Sequence, residues 1–129
     1  MIKKIIFALI VVVFIACNNN SPTLDVQGKW KLMKVENAFA QQSIDLSSKN
    51  IIFDFGSSEV TVTGNNSGDY YINNGNYPYS LQLQNSLSTT FQSMTLIING
   101  TQYHYLKTEN EMTLDNGYVD GDKLTFSRQ

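Results

Sequence analysis

From Trp30 onward, apolar and polar residues alternate with a period of two along almost the whole chain, a rhythm that fits strands with one buried and one wet face. The clearest stretch sets Tyr77, Tyr79, Leu81 and Leu83 against Pro78, Ser80, Gln82 and Gln84. The same reading gives inward positions to Trp30 and Leu32, to Ile51, Phe53 and Phe55, and to Val60 and Val62. It continues through Tyr70 and Ile72, Met94, Leu96 and Ile98, Tyr103 and Tyr105, Met112 and Leu114, and Leu124 and Phe126. Turn chemistry punctuates these runs. Asn99-Gly100, Asn116-Gly117 and Asp120-Gly121 supply residues that tolerate the positive φ of two-residue hairpin loops, while 64–68 and 73–76 read as longer polar connections. Short strands at this spacing predict an all-β antiparallel barrel or sandwich. Only residues 37–48 break the pattern: Ala38 to Gln42 predict a short helix after the first strand, and Ser43 to Lys49 a loop.

The first residues follow a different logic. Met1, Lys3 and Lys4 precede an unbroken apolar stretch from Ile5 to Ala16, which stops at Cys17, the only cysteine. A basic start and an apolar segment well short of the ~20 residues of a spanning helix match a secretory signal peptide. Phe14-Ile15-Ala16-Cys17 resembles the lipobox of bacterial lipoproteins, in which the cysteine sulfur carries a diacylglycerol. The resemblance implies a signal peptide over 1–16, a lipidated Cys17 with a polar tether over 17–26, and one domain over 27–129. Two or three acyl chains would hold such a protein stably, since each buried methylene contributes about 0.8 kcal/mol. Asn18 after the cysteine, with no acidic cluster following it, resembles lipoproteins sorted to the periplasmic face of the outer membrane.

Charge and composition exclude several classes. The formal net charge is −2, and Lys and Arg are scattered rather than clustered, which argues against nucleic acid as a partner. His104 is the only histidine and alternates with Tyr103 and Tyr105, so it points away from their face and has no companion for a metal site. Asp115, Asp120 and Asp122 fail the spacing of a calcium loop and read as hairpin residues. No Gly-x-Ser-x-Gly elbow and no ordered Ser, His and acidic set is present, so no enzyme, cofactor or metal is expected. Tyr70, Tyr71, Tyr77 and Tyr79, interleaved with Asn73, Asn74 and Asn76, form the candidate ligand-binding set; cross-strand packing is the competing explanation.

Gly28-Lys29-Trp30 at the head of the first strand resembles the G-x-W signature of lipocalin-like proteins. The ending Asp120-Gly121-Asp122-Lys123-Leu124-Thr125-Phe126-Ser127-Arg128 resembles the terminal hairpin strand of small lipocalin-like, META-type envelope domains. The resemblance implies an up-and-down barrel of about eight strands with a short helix or loop after the first. In that pattern the tryptophan plugs the closed end and an arginine of the last strand lies across it, roles that fall here on Trp30 and Arg128, with Gly28 beside them. The expected function is a non-enzymatic, lipid-anchored envelope domain that binds a small apolar or amphipathic ligand. The alternative is a solid barrel that meets a protein or glycan with its outer face.

Overall fold

The structure, a computed structural model, describes residues 26–37, 39–66, 72–85, 92–116 and 121–129. Within them the alternating runs become nine strands: β1 (Gly28–Asn37), β2 (Gln42–Asp45), β3 (Ile52–Phe55), β4 (Glu59–Thr63), β5 (Gly75–Asn85), β6 (Gln92–Ile98), β7 (Thr101–Lys107), β8 (Glu111–Asp115) and β9 (Asp122–Arg128). Every pairing is antiparallel, and β9 returns to pair with β1. Eight strands thus close a barrel in the order β1-β3-β4-β5-β6-β7-β8-β9, with β2 as an extra strand. Closure removes the free edges that an open sheet would present.

Strand β1 organises the barrel. Its first half pairs with β3 (Trp30 opposite Phe53) and its second half with β2 (Val35 opposite Ile44). Since β2 and β3 run in the same direction along one edge of β1, they are one partner strand interrupted by residues 46–51. Two backbone hydrogen bonds, Leu46 N to Met33 O at 2.8 Å and Leu32 N to Ile51 O at 2.9 Å, stitch the mouth of this interruption. Leu46 and Ile51 turn into the core from it. On the other edge, the register with β9 slips between Leu32 and Lys34. The extra residue, Met33, is a β-bulge that shifts the phase of the strand, so that Trp30, Leu32 and Val35 all face inward although their spacing is uneven.

The expected short helix over 38–42 is replaced by a turn at residues 39–41, and the expected loop from Ser43 is already strand. Asn37 explains the turn: its side-chain oxygen accepts the Ala40 N–H at 2.7 Å, while Gln41 adopts a positive φ of 50°. The helical preference of Ala and Gln is small, and the unpaired outer half of β1 offers a ladder of backbone hydrogen bonds that outweighs it. The Asn99-Gly100 turn has the two positive φ values, 49° and 82°, that its sequence demands.

Among the described residues the interior is closely packed, although Tyr77, Tyr79 and Leu81 of β5 and Met94 of β6 stay partly exposed where they pack against it. Trp30, Leu32, Phe53, Leu96, Met112, Leu114, Leu124 and Phe126 are inaccessible to solvent, and Phe55, Ile98 and Tyr103 nearly so. The phenyl rings interlock edge to face, Phe53 with Phe126 at 5.0 Å and Phe55 with Tyr79 at 5.1 Å between centroids. Each such pair adds about 0.5–1.5 kcal/mol to the burial itself.

Candidate functional site

The two ends of the barrel differ in character. At the end where β1 begins and β9 finishes, Trp30 sits opposite Arg128 in the ladder. The guanidinium carbon lies 5.0 Å from the indole centroid, and Lys107 Nζ, from the end of β7, lies 5.9 Å away. The indole N–H donates to Val26 O at 2.9 Å, tying down the segment that leads into β1. Gly28 completes the arrangement: its φ is +115°, and a Cβ there would stand 3.1 Å from Arg128 Nη2. A side chain at this position would be strained by the positive φ and would make the guanidinium give by a few tenths of an ångström. The structure brings Gly28, Trp30 and Arg128 into one cluster, to which it adds Lys107, a residue that no sequence motif singled out.

The tyrosine set is divided. Tyr70 and Tyr71 lie outside the described residues, as do Cys17 and the leader. Tyr77 and Tyr79 occupy one face of β5 and pack against the core. The Tyr77 hydroxyl donates to Asn73 O at 2.8 Å, and that of Tyr79 to Gly56 O. Both hydroxyls therefore fasten loops to the barrel, and the Asn residues nearby have similar work. Asn65 Nδ2 donates to Ile72 O at 2.8 Å and Asn74 Nδ2 to Asn66 Oδ1 at 3.1 Å, clipping the two sides of the β4–β5 connection together.

The opposite end carries an open cleft of about 470 Å³, bounded by the β1–β2 hairpin on one side and the β8–β9 hairpin on the other. Its floor follows from register. Ser43 is opposite Glu36, Glu36 opposite Lys123, and Lys123 opposite Asp115, so four strands contribute one lateral row on the outer face. The row continues to His104, opposite Asp115 on β7. Charge alternates along it, with Lys123 between two carboxylates. Gln41, Gln42 and Asn37 add amides. The wall is braced where Asn37 Nδ2 donates to Asp122 Oδ1 at 2.7 Å, joining the tip of β1 to the start of β9. At the back, Gly121 leaves room for the Asn116 side chain, which a Cβ at that position would displace. Phe39, 82% exposed, stands at the tip of the bounding hairpin.

Sequence reasoning weighed Asp115 and Asp122 together, as hairpin residues, and His104 alone, and did not single out Glu36, Lys123, Gln41, Gln42 or Ser43 as site residues. The Asp115–Lys123 pairing was open to inference from the hairpin around Gly121; the Glu36–Lys123 pairing depends on barrel closure and has no local signal. A second, smaller cleft of about 300 Å³ lies over the β3–β4 turn between Asp54 and Glu59. Comparison with protein-family models, curated proteins and solved structures gave no match to this chain.

Proposed function

We propose that this protein is a lipid-anchored, non-enzymatic module of the cell envelope whose barrel is a rigid support and whose outer surface carries the binding activity. The observation that supports this reading is the packing of the described interior: around β1, β3, β4 and β6–β9, indole, phenyl and branched aliphatic side chains occupy space that a carrier of apolar ligands keeps hollow. Both clefts are open to solvent and bordered by polar and charged groups, which suits a water-exposed partner better than a fatty one. The anchor is assigned to Cys17 on its lipobox-like context, with the outer-membrane periplasmic leaflet as its location. The tether then reaches the barrel at the Trp30 end.

Two measurements test this. A fluorescent fatty-acid probe titrated into the full chain should show no saturable uptake; one-to-one binding that quenches Trp30 would restore the carrier reading. Cys17→Ser should move the protein from the membrane fraction to the soluble fraction and abolish labelling by radioactive palmitate. Unchanged attachment would sink the anchor.

A further inference from the structure

We infer that the cleft between the β1–β2 and β8–β9 hairpins is a carbohydrate-binding site, with Phe39 as its aromatic platform. The inference rests on the outer-surface reading above and specifies its ligand.

The lining matches the chemistry of sugar hydroxyls. Each hydroxyl both donates and accepts, so a saccharide is held best where both kinds of group converge without a large apolar wall. The cleft supplies acceptors from Glu36 and Asp115, donors from Lys123, and amides of both kinds from Gln41 and Gln42, with the Ser43 hydroxyl among them. Its volume of about 470 Å³ lies within the range of small-ligand sites. A peptide partner would instead call for apolar or aromatic anchor pockets at the centre of the patch, and the floor here is a charged row.

Phe39 needs a reason to be where it is. Phe39 has 82% of its surface in water, and the hydrogen bond that closes the turn around it runs from the Ala40 N–H to the Asn37 side chain. The electron-rich face of an aromatic ring attracts the polarised C–H groups of a pyranose, the usual complement to a hydrogen-bonding cleft. Phe39 stands outside the residues that line the cleft, at the tip of the hairpin that carries Asn37, Gln41, Gln42 and Ser43, so its contact is with the part of a saccharide that extends beyond the cleft. The floor is also pre-organised: its residues sit on four hydrogen-bonded strands, and the Asn37–Asp122 bond fixes the rim, so little ordering opposes binding.

Position supports the same conclusion. Strand β1 carries ten residues from the Trp30 end to the Phe39 hairpin, a run of about 30 Å at ~3.3 Å per residue. A barrel tethered through its N-terminal side presents this cleft away from the bilayer, towards the space where envelope polysaccharide lies.

The experiment is an array of neutral, N-acetylated and uronic oligosaccharides, probed with the full chain in detergent micelles, followed by calorimetric titration of whatever is retained. At least one of these sugars should bind. Phe39→Ala, Gln42→Ala and Lys123→Ala should each weaken it by about tenfold, the equivalent of one lost charged or well-placed contact. All three side chains are exposed, so the melting temperature should stay unchanged and binding loss cannot be confused with unfolding. Retention of no sugar, equal binding by all three variants, or capture of a protein through Phe39 with no sugar bound would each overturn the inference. The fatty-acid titration separates the two levels: a negative array with no fatty-acid uptake removes the carbohydrate site alone, whereas uptake removes the solid-barrel reading beneath it.

Discussion

Truncating Trp30 to alanine should cost the domain most of its stability. The indole has no exposed surface, and a side chain of that kind buries about 150–250 Å², which corresponds to roughly 4–6 kcal/mol at ~25 cal/mol per Å². The alanine methyl recovers part of this and partial collapse of the core recovers more. Against that, the variant loses the 2.9 Å bond to Val26 O, about 1 kcal/mol. It also loses the ring beneath two cations, Arg128 and Lys107. The balance falls near 3–5 kcal/mol, in line with other buried aromatic truncations. For a domain with about 5–15 kcal/mol in total that is a large share, and the melting midpoint should fall by roughly 15–25 °C. Urea unfolding followed by far-UV circular dichroism is the suitable assay, because the substitution removes the chain's only tryptophan and its fluorescence with it. Trp30→Phe keeps most of the apolar volume and should lose only about 1–2 kcal/mol, the hydrogen bond and part of the cation attraction. A loss below about 1 kcal/mol for Trp30→Ala, at an unchanged denaturant slope, would mean that the indole does not hold the base of the barrel.

Three other substitutions probe separate features. Gly64 has a φ of +82°, and a Cβ there would overlap the carbonyl oxygen of Asn50, so Gly64→Ala should destabilise by more than the ~1 kcal/mol of backbone strain alone, read from the same urea curves. Arg128→Met keeps the stem and removes the charge; it should cost about 0.5–2 kcal/mol, and the effect should shrink when Trp30 is already Phe, as a double-mutant cycle would show. The Ser47 side chain and its backbone N–H, the latter at 2.8 Å, hydrogen-bond the Asp45 carboxylate and hold it below the usual aspartate range. A group depressed in the folded state stabilises above its unfolded pKa and loses that contribution as the pH falls through the folded value. Asp45→Asn should therefore lower stability at neutral pH, where the ionised carboxylate contributes, and flatten the acid limb below about pH 4, where wild type loses that contribution; an NMR titration of Asp45 with an unshifted midpoint would remove the basis for this.

Local chemistry in the chain reads well and distant pairing reads poorly. Alternation at β4 and β7 marks the inward faces correctly because a half-buried strand has no other way to satisfy its side chains, and Asn99-Gly100 announces its turn because few residue pairs accept two positive φ values. Strand β2 is hidden for the opposite reason: all four of its residues are exposed, so no burial pattern reveals it. Its cause is the vacant edge of β1, which appears only when the barrel is built. Leu83, aligned with Tyr77, Tyr79 and Leu81 by period, is half exposed. The tyrosine–asparagine region looks like a ligand site in the sequence because aromatic rings and amides also serve as loop fasteners. Residue type cannot separate those two uses; the carbonyl partners of Tyr77 and Tyr79 can. The cleft floor is the least legible part, since Glu36, Lys123 and Asp115 meet through registers on both sides of the closing seam.

That seam has a consequence for how the molecule is made. Asn37 reaches Asp122 across 85 residues, and Gln27 reaches Arg128 across 101, so the first strand stays without its last neighbour until nearly all of the chain is available. Contacts this remote in sequence fold slowly, because the loop they close must lose its freedom before the contact rewards it. The sequential pairings from β3 through β9 join neighbours in the chain and can form first, so closure against β1 is the last step that the strand order allows. A chain cut before Asp122 would keep two raw sheet margins instead of none, and its fate should be self-association.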